Sequence, residues 1–395
     1  MDLRQQIKED RQYVLELRRH FHQHPELSMA EYKTAERIEA ELAEQGIERR
    51  RIGATGVLGL IRGGLPGDKV IVLRADTDAL PITEINNAPY RSLNPGVMHA
   101  CGHDAHTACL LGAAKALQKN REYFGGEIRL FFQPGEEIGA GANPFMEQGL
   151  LEGVGRVFGI HVAPDLPVGI IGVKPGVNNA SVDHFKVTVT GKAAHVSTPQ
   201  LGIDALYIAS QTVVGLQALV TRCTSPIDPV IIGVGILQAG TSYNIVAPSA
   251  VLEGTTRTTS QETRDHIRQQ VTELVQQTAA IYGGSAQVEW TDFASPLIND
   301  AAVCGEVGAI VTSLWGKDSL ITERALALSG DNFAEYIQEI PGAYAYVGTR
   351  NEKLPHTLLS VHNDGFDIDE SALLFGAALY ASYTFHWLNE EDFSK

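Results

Sequence analysis

The stretch "HACGHDAH", residues 99–106, places three histidines, a cysteine and an aspartate in eight positions. Cys101 and His103 stand two apart on a glycine-containing turn, so both side chains can converge on one ion, and thiolate and imidazole are strong ligands for zinc and its neighbours. The same residues also allow a cysteine nucleophile with His103 or His106 as its base. Further along, Glu136 and Glu137 follow the apolar run "IRLFFQPG". One carboxylate of such a pair can bind a cation while the other faces the reacting centre as general base. His161 closes "VGRVFGIHV", and His362 lies in "LLSVHNDGFDIDE". Cys101, His103, Glu137, His161 and His362 thus offer five ligands, enough for two divalent ions if one residue bridges. Such a mixed set accepts zinc, manganese, cobalt or nickel according to supply. "RADTDALP" adds Asp76 and Asp78, carboxylates able to hold a ligand histidine in place.

The elements that must position these residues alternate between strand and helix. Helical periodicity runs from about Leu3 to Gln45 with a break at Pro25, which disfavours helix for His24. Short apolar strands follow in "GVLGLI", "KVIVLRADTDALPI" and, after a helix opening near Thr107, "GEIRLFFQPGEE". This alternation predicts an α/β sheet, which binds ligands at the loops beyond its strand ends. The pattern changes near Ala180 to strand, helix, strand, strand, helix, strand. That βαββαβ order is the ferredoxin-like plan. After Pro296 the α/β pattern resumes. The expected organisation is a catalytic domain over 1–181 and 297–395, interrupted by an inserted domain over 182–296.

At 395 residues the chain is long enough for two domains. Its formal charge of −16, from 47 acidic and 31 basic residues, argues against a nucleic-acid partner, which would need clustered Lys and Arg. The N-terminal "MDLRQQIKEDRQYVLELRRH" is a charged helical pattern without an apolar leader, and no apolar run approaches the ~20 residues of a membrane span. Four cysteines at spacings that suggest no disulfide framework fit a reducing compartment. A cytoplasmic protein with no membrane association is expected.

With "HPELSMAEYKTA", "RADTDALP", "MHACGHDAHTA", "FFQPGEE", "GIHV", "TGKAAHVSTPQLGIDA" and "NIVAP" in order, nearly the whole chain resembles the aminoacylase-type family of metallopeptidases. Within it the chain is most similar to the amidohydrolase branch of N-acyl-amino-acid, hippurate and auxin-conjugate hydrolases. The resemblance implies a discontinuous zinc-peptidase-like catalytic domain with an inserted ferredoxin-like lid that also serves dimerisation. It implies that Cys101, His103, Glu137, His161 and His362 ligate two metal ions, with Cys101 bridging. Glu136 would be the general base and Asp78 the aspartate supporting the centre, while Asp76 stands where other branches have a ligand histidine. In the lid, His195 would stabilise the oxyanion, and Asn244 and Arg257 would meet the substrate's carboxylate, a task that suits the guanidinium fork. The implied partners are a small N-acyl amino acid and a second copy of the chain. Dipeptides and N-acetyl-diaminopimelate are further substrates within the same resemblance, and a protein that binds an acyl amino acid without cleaving it is a rival of another class. Two stretches depart from the family's pattern. "HNDGF" replaces H-S-P or H-H-P before the phenylalanine, and "SGDNF" replaces "GSEDF", so that Asp331 and Asn332 stand for the acidic pair.

Overall fold

The central strands of the chain are apolar on both faces, which requires cover on both sides of a sheet. In the computed structural model, which describes residues 3–389, they form the middle of an eight-stranded sheet. Its order is Glu48–Ile52, Gly56–Arg62, Gly125–Gln133, Leu65–Asp76, Arg156–Pro167, Gly342–Arg350, Ile171–Gly172 and Leu320–Ile321. The four strands from Gly125–Gln133 to Gly342–Arg350 are mutually parallel. Register fixes which residues meet at their carboxyl ends. Asp76 pairs with Gln133, and Arg74 pairs with Gly159. Two residues beyond the latter pair stand Asp76 and His161, so three neighbouring strands deliver polar side chains, or the loop that carries them, to one level.

Helices His103–Lys119 and Ala372–Asn389 are buried on nearly every side, as their alanine-rich, almost uncharged sequences require. They approach closely: a Cβ on Gly376 would come within 2.8 Å of Cys109 Sγ. The N-terminal helical pattern resolves into Leu3–Glu9, Arg11–Gln23 and Tyr32–Glu44, with the break at His24 and Pro25. Two boundaries differ from the sequence pattern. The strand in "KVIVLRADTDALPI" ends at Asp76, and the helix expected near Thr107 begins at His103. Gly102 is the cause of the second: at φ +88° it turns the chain through a conformation glycine adopts readily, and a Cβ there would lie 2.4 Å from Val162 Cγ2.

The chain packs as two compact units. The first comprises the residues up to Asn178, Ile298–Ala325 and the residues from Asn332 onward; the second comprises Asn179–Leu297 and Leu326–Asp331. The second unit runs strand Val182–Thr190, helix Ala205–Ala218, strands Ile231–Ala239 and Ser249–Arg257, helix Gln261–Ile281 and strand Ser285–Ala294. Its antiparallel sheet has the order Ser285–Ala294, Val182–Thr190, Ser249–Arg257, Ile231–Ala239. Phe185, Val187 and Val189 alternate inward and meet Ile208, Leu216, Ile267, Val271 and Val275 of the helices. Both helices start on side-chain caps, Asp204 accepting from the N–H of Leu206 and Tyr207, and Ser260 from that of Thr263. The return of Leu326–Asp331 to this unit has no signal in the sequence pattern; it is held by the Ala180 N–H donating to the Ala327 carbonyl at 2.9 Å. Among the described residues no helix is long and apolar enough to cross a membrane.

Candidate metal centre

Cys101 and His103 flank Gly102, whose left-handed turn lets both side chains face the carboxyl end of the sheet. Cys101 Sγ lies 3.5 Å from Nε2 of His161. The His161 Nδ1–H donates to the Val162 carbonyl at 2.7 Å, which leaves Nε2 as the lone-pair nitrogen on the cysteine side. His103 is oriented in the same way: its Nδ1 lies 3.2 Å from Asp78 Oδ1, so Nε2 faces the cluster. Asp78 is itself fixed, accepting at Oδ2 from the Ser28 hydroxyl at 2.7 Å and from the Glu137 N–H at 3.0 Å. Imidazoles held at one nitrogen by a carboxylate or carbonyl and open at the other have the form of metal ligands.

The donor atoms fall into overlapping groups. Cys101, His103 and His161 form one triad, and Cys101, Glu137 and His362 form another, with the ligand atoms of each within 4.8 Å of one another. Cys101 belongs to both. Glu137 Oε1 is 3.3 Å from His362 Nε2 and 3.9 Å from His103 Nε2. His103, Glu136 and Glu137 make a third such group and Asp76, His103 and His106 a fourth, and Glu136 is buried. His103 Nε2 and Glu137 Oε1 are buried without a hydrogen-bond partner. A buried polar atom left unpaired is costly, and a cation between these two would satisfy both. The thiol, imidazole and carboxylate donors therefore fit a pair of divalent transition metals.

Burial pushes the Cys101 thiol well above its usual range, and Glu137 adds to the shift. A thiol in this setting ionises when a cation binds beside it. His106 is occupied on both ring nitrogens, with Nδ1 at 2.6 Å from Asp76 Oδ1 and Nε2 accepting the Val162 N–H at 2.9 Å. It is thus no base for Cys101, which removes half of the nucleophile reading. Asp76 is not among the residues of the two Cys101 triads. Burial opposes its charge, but His103, Arg74 and His106 outweigh that and hold its carboxyl well below the usual range. The Arg74 guanidinium meets Asp76 at 2.5 Å, Gln133 Oε1 at 3.0 Å and Asn332 Oδ1 at 3.0 Å. Gln133 Nε2 donates to the same Asn332 oxygen at 2.8 Å. The departure at Asn332 therefore lies in the support beneath Asp76 and not on the ligand cluster. At the other departure, Asn363 Oδ1 closes a tight turn by accepting the Gly365 N–H, and His362 takes the left-handed φ of +65°.

His195, Asn244 and Arg257 lie in the second unit. His195 is exposed, and its Nδ1 accepts the Ser197 N–H at 3.1 Å with the Ser197 hydroxyl at 2.7 Å, which places the ring proton on Nε2. Its loop meets that of Asn244, whose carbonyl accepts the Val196 N–H at 3.1 Å. Arg257 ends the strand Ser249–Arg257, and its guanidinium donates to the carbonyls of Leu328 and Thr256 and to the Thr255 hydroxyl. Burial lowers its pKa from the usual arginine value.

Several residues that shape the centre gave no chemical signal in the sequence. Glu31 is fully buried and accepts the N–H of Gly135 and of Met29, both at 2.8 Å, fixing the turn that leads into Glu136. Behind His103, Asp104 accepts from His22 Nδ1 at 2.7 Å, and His22 Nε2 lies 3.2 Å from Glu84. Burial and Arg18 oppose a charge on His22, yet Asp104 and Glu84 outweigh them and its pKa rises to about 9. A folded-state pKa above the unfolded one gives stability that is complete below about 6.5 and is lost as the pH rises through 9. His22→Gln, which cannot take up that proton, is expected to flatten the pH dependence of the unfolding free energy across this window by on the order of 3 kcal/mol. Equal slopes for the two proteins in denaturant titrations would show that His22 is not charged in the fold.

The sequence model of "Peptidase family M20/M25/M40" matches residues 72–386. An N-acetyl-L-cysteine deacetylase of Bacillus subtilis is 41% identical over 363 residues, covering 91% of this chain and 85% of that one. Thermostable carboxypeptidase 2 of Saccharolobus solfataricus is 36% identical over 98% of both chains. Among solved structures, the Bacillus subtilis YXEP protein, described as a dinuclear metal-binding peptidase of the M20 family, superposes with a TM-score of 0.82 at 35% identity, covering 96% of this chain and 99% of that one.

Proposed function

The chain belongs to peptidase family M20/M25/M40, and from that premise we propose that it is a metal-dependent amidohydrolase that cleaves the amide bond of N-acyl-L-amino acids. The observation that carries the reading is the position of Cys101 in two ligand triads at once. Cys101, His103 and His161 would hold one divalent ion and Cys101, Glu137 and His362 the other. Ions held there would supply an acidified water and Lewis-acid polarisation of the amide carbonyl. Glu136 takes the proton of the attacking water and returns it to the leaving amine. Asp78 keeps His103 in the tautomer that presents Nε2. His195, with its proton on Nε2, donates to the oxyanion. Asn244 and Arg257 hold the carboxylate of the amino acid.

We assign the second unit the role of the ferredoxin-like lid and of a homodimer interface. Its sheet ends in Ile231–Ala239, "IIGVGILQA", an uncharged strand whose Ile236 and Leu237 are 44% and 40% exposed. Among the described residues this strand pairs on one side alone. Bare apolar edges of this kind invite pairing, and a strand laid antiparallel to its own copy satisfies two-fold symmetry.

The carboxypeptidase relative favours a second reading, in which the acyl group is itself an amino acid and the substrate a dipeptide. Release of free amino acid from N-acetyl-, N-benzoyl- and indoleacetyl-L-amino acids and from dipeptides, compared by kcat/KM, separates the two. Faster cleavage of the N-acyl series is expected. Faster cleavage of dipeptides would establish the second reading, and no cleavage of either would leave a binding role.

A further inference from the structure

We infer that Arg18 is a positioning residue for the metal centre, one buried guanidinium that ties together the two chain segments presenting His103 and His362. The inference rests on the two-ion reading above.

Arg18 sits in helix Arg11–Gln23 and is 1% exposed, among the most buried large side chains of the protein. Its Nη2 donates to Asp367 Oδ1 at 2.5 Å and its Nη1 to Glu370 Oε1 at 3.4 Å, while its Nε lies 3.0 Å from Asp104 Oδ2 as an ion pair without the alignment of a hydrogen bond. Asp104 is the residue after His103, in the first turn of the helix that begins there, and its Oδ1 also accepts the Ala105 N–H. Asp367 belongs to the loop that carries His362. Its Oδ2 accepts the Tyr90 hydroxyl at 2.9 Å, and the Tyr90 ring packs against the guanidinium with its centroid 4.9 Å from Cζ. The His362 loop touches the cysteine turn a second time through the His362 N–H, which donates to the Ala100 carbonyl at 2.7 Å.

The His362 backbone shows why such a clamp is needed. A non-glycine residue at φ +65° persists when its surroundings over-determine it. Holding the loop at Asp367 and at Ala100 does so from both sides. Arginine suits the position because a planar fork reaches several carboxylates at once, whereas the point charge of lysine would serve fewer. Asp104 and Asp367 also need a counter-charge, since a buried carboxylate left alone is strongly unfavourable.

The test compares wild type, Arg18→Lys and, as a control, Arg264→Leu, which breaks an equally buried ion pair with Asp183 in the second unit. Mn²⁺ alone is the probe, its affinity measured by competition with a fluorescent chelator on protein shown to be folded by circular dichroism. Arg18→Lys is expected to bind Mn²⁺ about tenfold more weakly and to regain the wild-type kcat at saturating Mn²⁺. Arg264→Leu is expected to lower the melting temperature and leave Mn²⁺ affinity unchanged. Wild-type affinity in Arg18→Lys would overturn the inference, as would equal weakening in Arg264→Leu. Should Arg18→Lys not fold, Tyr90→Phe removes one hydrogen bond to Asp367; about threefold weaker Mn²⁺ binding supports the clamp, and unchanged affinity overturns it. Wild-type protein that binds neither Mn²⁺ nor, in the same competition, Zn²⁺, Co²⁺ or Ni²⁺ would instead sink the two-ion reading on which the inference depends.

Discussion

Glu136→Gln is expected to slow release of amino acid from an N-acyl-L-amino acid by about a thousandfold, with the bound ions retained. The substitution preserves the volume of the side chain and removes its capacity to accept a proton. Glu136 shares a group with His103 and Glu137 but belongs to neither Cys101 triad, so its loss leaves both triads intact. The turn that presents it is held from outside by Glu31 through the Gly135 N–H, and that contact is untouched by the change. Turnover and metal content by atomic emission, measured on the same preparation, check the assignment. Near-normal turnover would remove Glu136 from its role, and loss of both metal and turnover would make it a ligand.

The second large effect concerns His195. His195→Ala is expected to lower kcat by about a hundredfold or more while KM changes little, the behaviour of a donor that acts on the transition state. The orientation of its ring is set locally, since Ser197 occupies Nδ1 and directs the Nε2 proton outward. If the donor comes from the partner copy, mixing inactive His195→Ala with inactive Glu136→Gln and allowing exchange restores activity, because one site of the mixed dimer then has both groups intact. Recovery that disappears when Ile236→Lys charges the apolar edge strand would tie the complementation to that interface. A mixture that stays inactive although mixed dimers form would show that each chain uses its own His195.

Most of the first unit is legible in the sequence because its signals are local. The buried parallel strands are apolar runs, and Asp76 and the Glu136–Glu137 pair stand at or just beyond the ends of two of them, whereas His161 lies inside Arg156–Pro167, Cys101 and His362 are carried by turns between elements, and His103 opens a helix. The helix that presents His103 begins four residues before the sequence pattern predicts because the left-handed turn at Gly102, where a Cβ would meet Val162, is a tertiary fact. Arg18 and Arg19 make the limit plain. They are adjacent and identical in the string "LRRHFHQH", yet the side chain of one is 1% exposed and that of the other 41%. Their partners, Asp104, Asp367 and Glu370, lie far away in sequence, so no periodicity could assign the buried role to the first. Arg74 is hidden in the same way inside "RADTD", since nothing in that string shows that its guanidinium fixes one of the two aspartates. His195, Asn244 and Arg257 became candidates through the family resemblance, since a histidine in an exposed loop and an arginine ending a strand carry no chemical signal of their own.

We propose that two divalent ions at the Cys101 cluster make this chain a hydrolase of N-acyl amino acids. Titrating chelator-stripped protein with Mn²⁺ while following release of amino acid from an N-acetyl-L-amino acid tests it most directly. The stripped protein is expected to be inactive, with activity that rises to saturate at two ions per chain and is abolished in Cys101→Ala. Full activity after stripping, or saturation unaffected by loss of Cys101, would contradict it.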